Sequence, residues 1–96
     1  MNIQKHIFVY GKVQGVGYRH WLKSFANEYG IYGWVKNNTS GEVEAMLIGQ
    51  EEIVTNLIEQ CYMGPPESSV TKIIVNNTLE WNDIHDLRTF EIFTDN

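Results

Sequence analysis

A glycine-rich segment that ends in an arginine is the first candidate for chemistry in this sequence. Gly11, Gly15 and Gly17 lie within seven residues, between a predicted strand and a predicted helix. Glycines allow successive backbone N–H groups to converge on one point, with the positive end of the helix dipole behind them. The segment therefore has the features of a compact anion-binding loop. The spacing leaves open the alternative that the glycines only turn a short strand-to-helix connection.

The same segment differs from the common nucleotide-binding loops. The Gly15-x-Gly17 pair is too short for a dinucleotide fingerprint, and the segment has no Lys-Ser or Lys-Thr pair of the kind found in a P-loop. Nucleotide binding is therefore disfavoured.

Arg19 strengthens the anion interpretation. It falls in the first turn of the predicted helix, where the helix dipole opposes a cation, so a guanidinium there lowers stability unless an anion shares the site. Arginine also presents a planar fork of donors that matches two phosphate oxygens, which lysine cannot copy. The alternative, an ordinary solvated arginine, stays open. The chain has only one other arginine, Arg88.

A second candidate segment covers residues 33–38, where a predicted strand enters a hairpin. An asparagine side chain can both donate to and accept from a water molecule, so Asn37 could hold a nucleophilic water against a phosphorus centre. Asn37 or Asn38 could equally be a turn residue. Composition cannot choose between these two interpretations.

Charge and cysteine content exclude several classes of protein. Seven basic and twelve acidic residues give a net charge of −5, so no long-range positive field attracts nucleic acid or an anionic membrane. One cysteine, Cys61, cannot form an internal disulfide, and three histidines at unrelated spacings offer no zinc pattern. No signal peptide is recognisable and no apolar run approaches 18 residues. We expect a soluble, cytoplasmic protein without nucleic-acid or membrane partners.

The hydrophobic pattern predicts seven elements within one domain, residues 1–96. Alternation and β-branched runs indicate strands, whereas the spacing of Tyr18, Leu22, Phe25 and Tyr29 indicates one face of a helix that should lie against the sheet. The strands are predicted at residues 6–13, 31–38, 42–49, 70–78 and 89–95, the helices at 18–29 and 51–63, and a polar loop at 79–88. Gly30 is predicted to end the first helix in a left-handed conformation.

The order βαββαββ matches the ferredoxin-like, split βαβ arrangement. We therefore predict a two-layer α/β (α+β) sandwich, in which a mostly antiparallel five-stranded sheet carries both helices on one face.

Taken together, the two candidate segments resemble the acylphosphatase family. Residues 9–19, VYGKVQGVGYR, resemble its phosphate-loop signature, and residues 33–43, GWVKNNTSGEV, continuing to Gly49, resemble its second signature. Residues 64–66 and the final strand also fall where the family has similar residues, so the resemblance spans essentially the whole chain. One departure is Tyr18, where the family usually has phenylalanine. Its hydroxyl needs water or a protein partner.

The resemblance implies hydrolysis of an acyl phosphate to a carboxylate and inorganic phosphate without metal. We expect no cofactor and a monomer, although the sequence does not reveal self-association. It implies that Arg19 and Asn37 are catalytic, with Arg19 binding the phosphoryl oxygens and Asn37 orienting the water. Inorganic phosphate would be the product and a competitive inhibitor. The backbone amides implied to bind the phosphoryl group are those of Gln14, Gly15, Val16, Gly17, Tyr18 and Arg19.

Three other functions share some of these features. A non-catalytic anion-binding module would share the loop and differ only in lacking turnover. A single-stranded RNA binder can share the βαββαβ order, but the third strand here has no aromatic residue for base stacking. An acylphosphatase-like domain of a larger maturation enzyme is disfavoured by a short chain that begins at Met1.

Overall fold

The computed structural model describes residues 2–80 and 88–93, the last four residues of the first segment by their backbone alone. The described elements follow the predicted order. They are β1 (Asn2–Lys12), α1 (Tyr18–Tyr29), β2 (Tyr32–Asn37), β3 (Val43–Gln50), α2 (Glu51–Cys61), β4 (Ser69–Glu80) and β5 (Phe90–Ile92).

The strands form one sheet in the order β4-β1-β3-β2-β5. Three of its pairings are antiparallel, and β2 pairs with β5 in parallel. The predicted ferredoxin-like, mostly antiparallel sheet is confirmed, and β1 lies in its interior between β4 and β3. Because β1 and β2 are each antiparallel to β3, they run in the same direction and end at the same end of the sheet. The last residue of β5 lies at that end as well.

Alternation along the strands gives the sheet one buried face. Ile7 and Val9 of β1, Val35 of β2 and Ala45 of β3 are all fully buried on it. The two helices cover this face, with α1 over β2 and β5 and α2 over β3 and β1. Neither helix, among the residues described, is long and apolar enough to cross a membrane.

The buried face of α1 differs from the prediction at its last turn. Tyr18 and Leu22 are buried as expected, but the third buried position is Ala26, and Tyr29 is 50% exposed. Ala26 is fully buried because its methyl group fits where the helix lies close to the sheet. Tyr29 is the last residue of α1, and its ring stacks on Phe25 at a centroid distance of 5.7 Å. Alanine contributes little to a hydrophobic pattern, so the pattern missed the burial of Ala26 and wrongly predicted that of Tyr29.

Several element ends also differ from the prediction. β1 begins at Asn2 because its ladder with β3 continues through Asn2↔Gln50, although polar residues hide the alternation there. α2 ends at Cys61, and Gly30 adopts the predicted left-handed conformation at φ 72°. Residues 79 and 80 of the predicted polar loop belong to β4, and residues 81–87 lie outside the described residues. Of the strand predicted at residues 89–95, β5 covers 90–92, and residues 94–95 also lie outside them.

The hydroxyl group of Tyr18 has a buried partner. It donates a hydrogen bond of 2.6 Å to the backbone carbonyl of Cys61, the last residue of α2. Burial, with a smaller contribution from Cys61, raises the pKa of Tyr18 above its usual value, so the hydroxyl remains a donor. This bond joins the start of α1 to the end of α2. It also explains how the chain accommodates tyrosine where the related family usually has phenylalanine.

We expect Tyr18→Phe to lower the free energy of unfolding by about 1–2 kcal/mol, because the Cys61 carbonyl would remain buried without its donor. Urea unfolding followed by tryptophan fluorescence measures this difference. Tyr29→Phe is the matched control: its ring is half exposed, and its effect should stay within about 0.5 kcal/mol. Equal effects of the two substitutions would contradict a structural role for the Tyr18 hydroxyl.

Candidate active site

The glycine loop connects the end of β1 to the start of α1. Gly15 and Gly17 have φ values of 75° and 81°, a region that other residues rarely adopt. A Cβ at either position would meet nothing within 4 Å, so glycine is needed there for its conformation and not for space. Between them, Val16 packs against the hydrophobic core. The loop is therefore anchored at its centre and exposed on either side.

The backbone N–H groups in the first turn of α1 are not capped by a side chain in the part of the chain that the structure describes. Gly17 is the residue that precedes the helix, and it has no side chain that could accept hydrogen bonds from the first-turn N–H groups. The first turn also contains no acidic residue. Helix starts normally obtain such acceptors from Ser, Thr, Asp or Asn. Within the described residues no side chain caps these backbone donors, an arrangement that suits a negatively charged ligand.

Arg19 extends from this turn toward the ends of β2 and β5. Its Nη1 donates to the backbone carbonyl of Phe93 at 3.3 Å. The backbone N–H of Phe93 donates in turn to the carbonyl of Val35, two residues before Asn37. The guanidinium group is therefore placed at the same end of the sheet as Asn37, by the backbone of the residue that follows β5.

The Gln14 side chain joins the loop directly to the β2–β3 hairpin. Its Nε2 donates to the backbone carbonyls of Asn38 at 2.8 Å and Glu42 at 3.1 Å. Both acceptors belong to the turn that follows Asn37. The two candidate segments, far apart in the sequence, thus meet at one site.

The two adjacent asparagines have different environments. Asn38 belongs to the turn: its backbone N–H donates to the Glu42 carbonyl, and its own carbonyl accepts from Gly41. Asn37 is the last residue of β2, paired with Val43 in β3. The Asn37 Oδ1 is buried and has no hydrogen-bond partner within the described part of the chain. An orphaned buried acceptor costs free energy, so such atoms are rare away from sites that bind a water or a ligand.

Three contributors to this geometry are absent from the sequence prediction. Phe93 positions Arg19 with its carbonyl, and Asn38 and Glu42 receive the Gln14 amide with theirs. Every residue has a backbone carbonyl, so no residue type signals this role. Glu42 also accepts side-chain hydrogen bonds from Ser40 and Asn38, which lower its pKa.

Two other reactive side chains, those of Cys61 and His6, have different surroundings. Cys61 is buried, and burial raises the pKa of its thiol to about 12, so it is not a nucleophile at neutral pH. His6 contacts Glu44 on the sheet face that the helices leave open. Across residues 2–80 and 88–93, no three His, Cys, Asp or Glu side chains form a group that could hold a metal ion.

Comparison with known sequences identifies the family. The acylphosphatase family model matches residues 5–92. An acylphosphatase from a Nostoc species is 39% identical over 90 residues, which cover 94% of this chain and 85% of the relative. One from Rhodopseudomonas palustris is 45% identical over 71 residues, which cover 74% of this chain and 72% of the relative.

Solved structures agree with the sequence comparison. The crystal structure of acylphosphatase from Bacillus subtilis superimposes with a TM-score of 0.86 at 34% identity, covering 95% of this chain and 98% of that one. The match therefore includes both candidate segments and the sheet that brings them together. By sequence and by structure, the chain belongs to the acylphosphatase family.

Proposed function

We propose that this chain hydrolyses acyl phosphates to a carboxylate and inorganic phosphate at the end of the sheet where the glycine loop meets the hairpin. The observation that carries the proposal is the buried Oδ1 of Asn37, which has no hydrogen-bond partner among the described residues and lies at the end of the sheet where the glycine loop joins the hairpin. Together these groups provide a place for an anion and an acceptor for a water molecule next to it. Membership of the acylphosphatase family supports the same reaction.

The phosphoryl group binds to the backbone amides from Gln14 to Arg19 and to the Arg19 guanidinium. The planar guanidinium of Arg19 presents two parallel N–H donors, which match two phosphoryl oxygens. The anion also removes the unfavourable interaction of Arg19 with the dipole of α1. Charge on the phosphoryl oxygens is thereby neutralised by donors that are in place before the reaction.

Asn37 orients the attacking water. Its Oδ1 accepts a hydrogen bond from the water, which turns a lone pair of the water oxygen toward phosphorus. A neutral carboxamide cannot take the proton. A phosphoryl oxygen of the substrate receives it, so that the new P–O bond forms with the proton retained on the phosphate product.

The leaving group needs no acid. The bond that breaks joins phosphorus to the acyl oxygen, and its electron pair departs with a carboxylate whose conjugate acid has a pKa of roughly 4. Such a group leaves without protonation. Positioning and charge neutralisation are then sufficient, as in other phosphoryl transfers, and this agrees with a site that contains no histidine or pair of carboxylates among its proposed catalytic groups.

The enzyme acts as a monomer in the cytoplasm in this proposal, with neither nucleic acid nor membrane as a partner. Both parts of the site come from one chain, which supports a self-sufficient protomer. The single cysteine is free and buried, as suits a reducing compartment. A net charge of −5 disfavours polyanionic partners.

We expect Arg19→Ala to abolish both hydrolysis and phosphate affinity, with a loss of transition-state stabilisation of at least about 3–4 kcal/mol. Arg19→Lys should restore little, because lysine lacks the planar fork. The measurement is phosphate release from a synthetic acyl phosphate, with a phosphomonoester as the comparison substrate. Arg88→Ala is the matched control, since Arg88 precedes β5 at the end remote from Phe93. Near-normal turnover of Arg19→Lys would refute bidentate recognition.

Asn37→Ala should reduce kcat by about 100-fold or more, because the water loses its orienting acceptor. Competitive inhibition by inorganic phosphate should be largely retained, since the loop and Arg19 remain. Steady-state kinetics with and without phosphate separate the two effects, and Asn56→Ala, an exposed asparagine on α2, serves as the control. Equal losses of kcat and phosphate affinity would show that Asn37 has only a structural role.

Chelation tests the metal-free mechanism. We expect EDTA to leave the hydrolysis of the acyl phosphate unchanged, because Arg19 and backbone amides supply the positive charge that a metal would otherwise provide. Activity is measured before and after dialysis against EDTA. A loss of activity that returns with an added divalent cation would overturn this part of the proposal.

A further inference from the structure

Asn38, the residue after Asn37, forms hydrogen bonds through both its backbone and its side chain. The Asn38 backbone N–H and carbonyl are bonded within the turn, and the carbonyl also accepts from Gln14. The Asn38 Nδ2 donates to Glu42 Oε2 at 3.2 Å and to Glu44 Oε1 at 3.1 Å. Asn38 is therefore the point where the glycine loop, the turn and strand β3 are joined.

Glu44 is an unusual partner for this role. It lies in the middle of the sheet on β3, with Phe8 of β1 on one side and Lys36 of β2 on the other. Its side chain is only 15% exposed. A carboxylate that has lost most of its water is stabilised only if donors replace that water.

Those donors come from two strands, β1 and β2, and from the turn. His6 Nε2 lies 2.6 Å from Glu44 Oε2, and since a carboxylate only accepts, His6 is the donor. Lys36 Nζ lies 3.9 Å from Oε1, the oxygen that also accepts from Asn38. The His6 ring is fixed in turn by Phe8 and Trp34, at centroid distances of 4.8 and 5.9 Å. The position of the Glu44 carboxylate is thus set by the sheet itself.

We infer that Glu44 is a positioning residue, which holds the Asn38 carboxamide and thereby fixes the main chain that carries Asn37. The inference rests on the role proposed above for Asn37. Since Asn37 Oδ1 has no partner in the described residues, its direction depends on the backbone on either side of it. On one side that backbone is strand β2, and on the other it is Asn38.

The glycine loop depends on this arrangement less than Asn37 does. Gln14 donates to the Glu42 carbonyl as well as to that of Asn38, so one anchor of the loop remains if Asn38 shifts. Loss of the Glu44 carboxylate should therefore affect the orientation of the water more than the binding of phosphate. This difference separates a positioning role from a general loss of structure.

The test is the steady-state kinetics of Glu44→Ala and Glu44→Gln, with kcat referred to the concentration of folded protein obtained from urea unfolding. We expect Glu44→Ala to lower kcat about tenfold while the inhibition constant of inorganic phosphate changes less than about threefold. Glu44→Gln keeps an acceptor oxygen for Asn38, so its kcat should lie between that of the wild type and that of Glu44→Ala. An unchanged kcat in Glu44→Ala, or equal losses of kcat and phosphate affinity, would overturn the inference.

Ser40→Ala is the matched control. It removes the 2.7 Å hydrogen bond from Ser40 Oγ to Glu42 Oε1, in the same turn, and retains the groups that form both hydrogen bonds of Asn38 Nδ2. We expect its kcat to equal that of the wild type. A reduction as large as that of Glu44→Ala would show that any loosening of the hairpin has this effect, and would overturn a specific role for Glu44.

A double-mutant cycle identifies the path of the effect. If Glu44 acts through Asn38, then Asn38→Ala lowers kcat by a similar factor, and the double variant is no worse than the worse single one. Multiplication of the two factors would mean that the residues act independently, contrary to the inference.

Comparison with Asn37→Ala separates this inference from the proposed function. A loss of kcat in Asn37→Ala but not in Glu44→Ala overturns the positioning role alone. A wild-type kcat in Asn37→Ala overturns the proposed role of Asn37, and this inference with it.

Discussion

The two hydrogen bonds of one primary amide hold the halves of the proposed active site together. Gln14 reaches from the glycine loop to two backbone carbonyls of the turn between β2 and β3. An NH₂ group has two protons to donate, and both acceptors are carbonyl oxygens that a carboxylate in the same place would repel. The position of the glycine loop relative to Asn37 depends on this contact, because the two segments follow strands, β1 and β2, that are not neighbours in the sheet.

Strand direction makes the contact possible. β1 and β2 lie on either side of β3 and are both antiparallel to it, so their last residues lie at the same end of the sheet. The loop that follows β1 and the turn that follows β2 therefore face each other across the end of β3. β5, parallel to β2, brings Phe93 to the same place. The sheet topology brings the glycine loop, the β2–β3 turn and Phe93 together, and hydrogen bonds from Gln14 and Arg19 connect them.

Much of this arrangement was predictable from the sequence. The period of the apolar residues gave the order and type of the elements, and the family resemblance pointed to Arg19 and Asn37. The sequence does not tell which of Asn37 and Asn38 belongs to the turn, because the two side chains have the same chemistry. The structure distinguishes them by their surroundings: Asn38 is engaged in the turn, whereas the Asn37 oxygen is buried and finds no hydrogen-bond partner in the part of the chain that the structure describes.

The contacts that could not be predicted are those with backbone acceptors and those across the sheet. Phe93 positions Arg19 through its carbonyl, whatever its side chain. His6 and Glu44 are 38 residues apart and meet only because β1 and β3 are paired. The Phe93 ring also stacks on Trp34 at a centroid distance of 5.4 Å.

The dependence of Arg19 on the Phe93 carbonyl has a consequence for biosynthesis. The Arg19 guanidinium cannot make its contact with the Phe93 carbonyl until residue 93 has left the ribosome, so this contact forms only after all four strands that precede β5 have been translated.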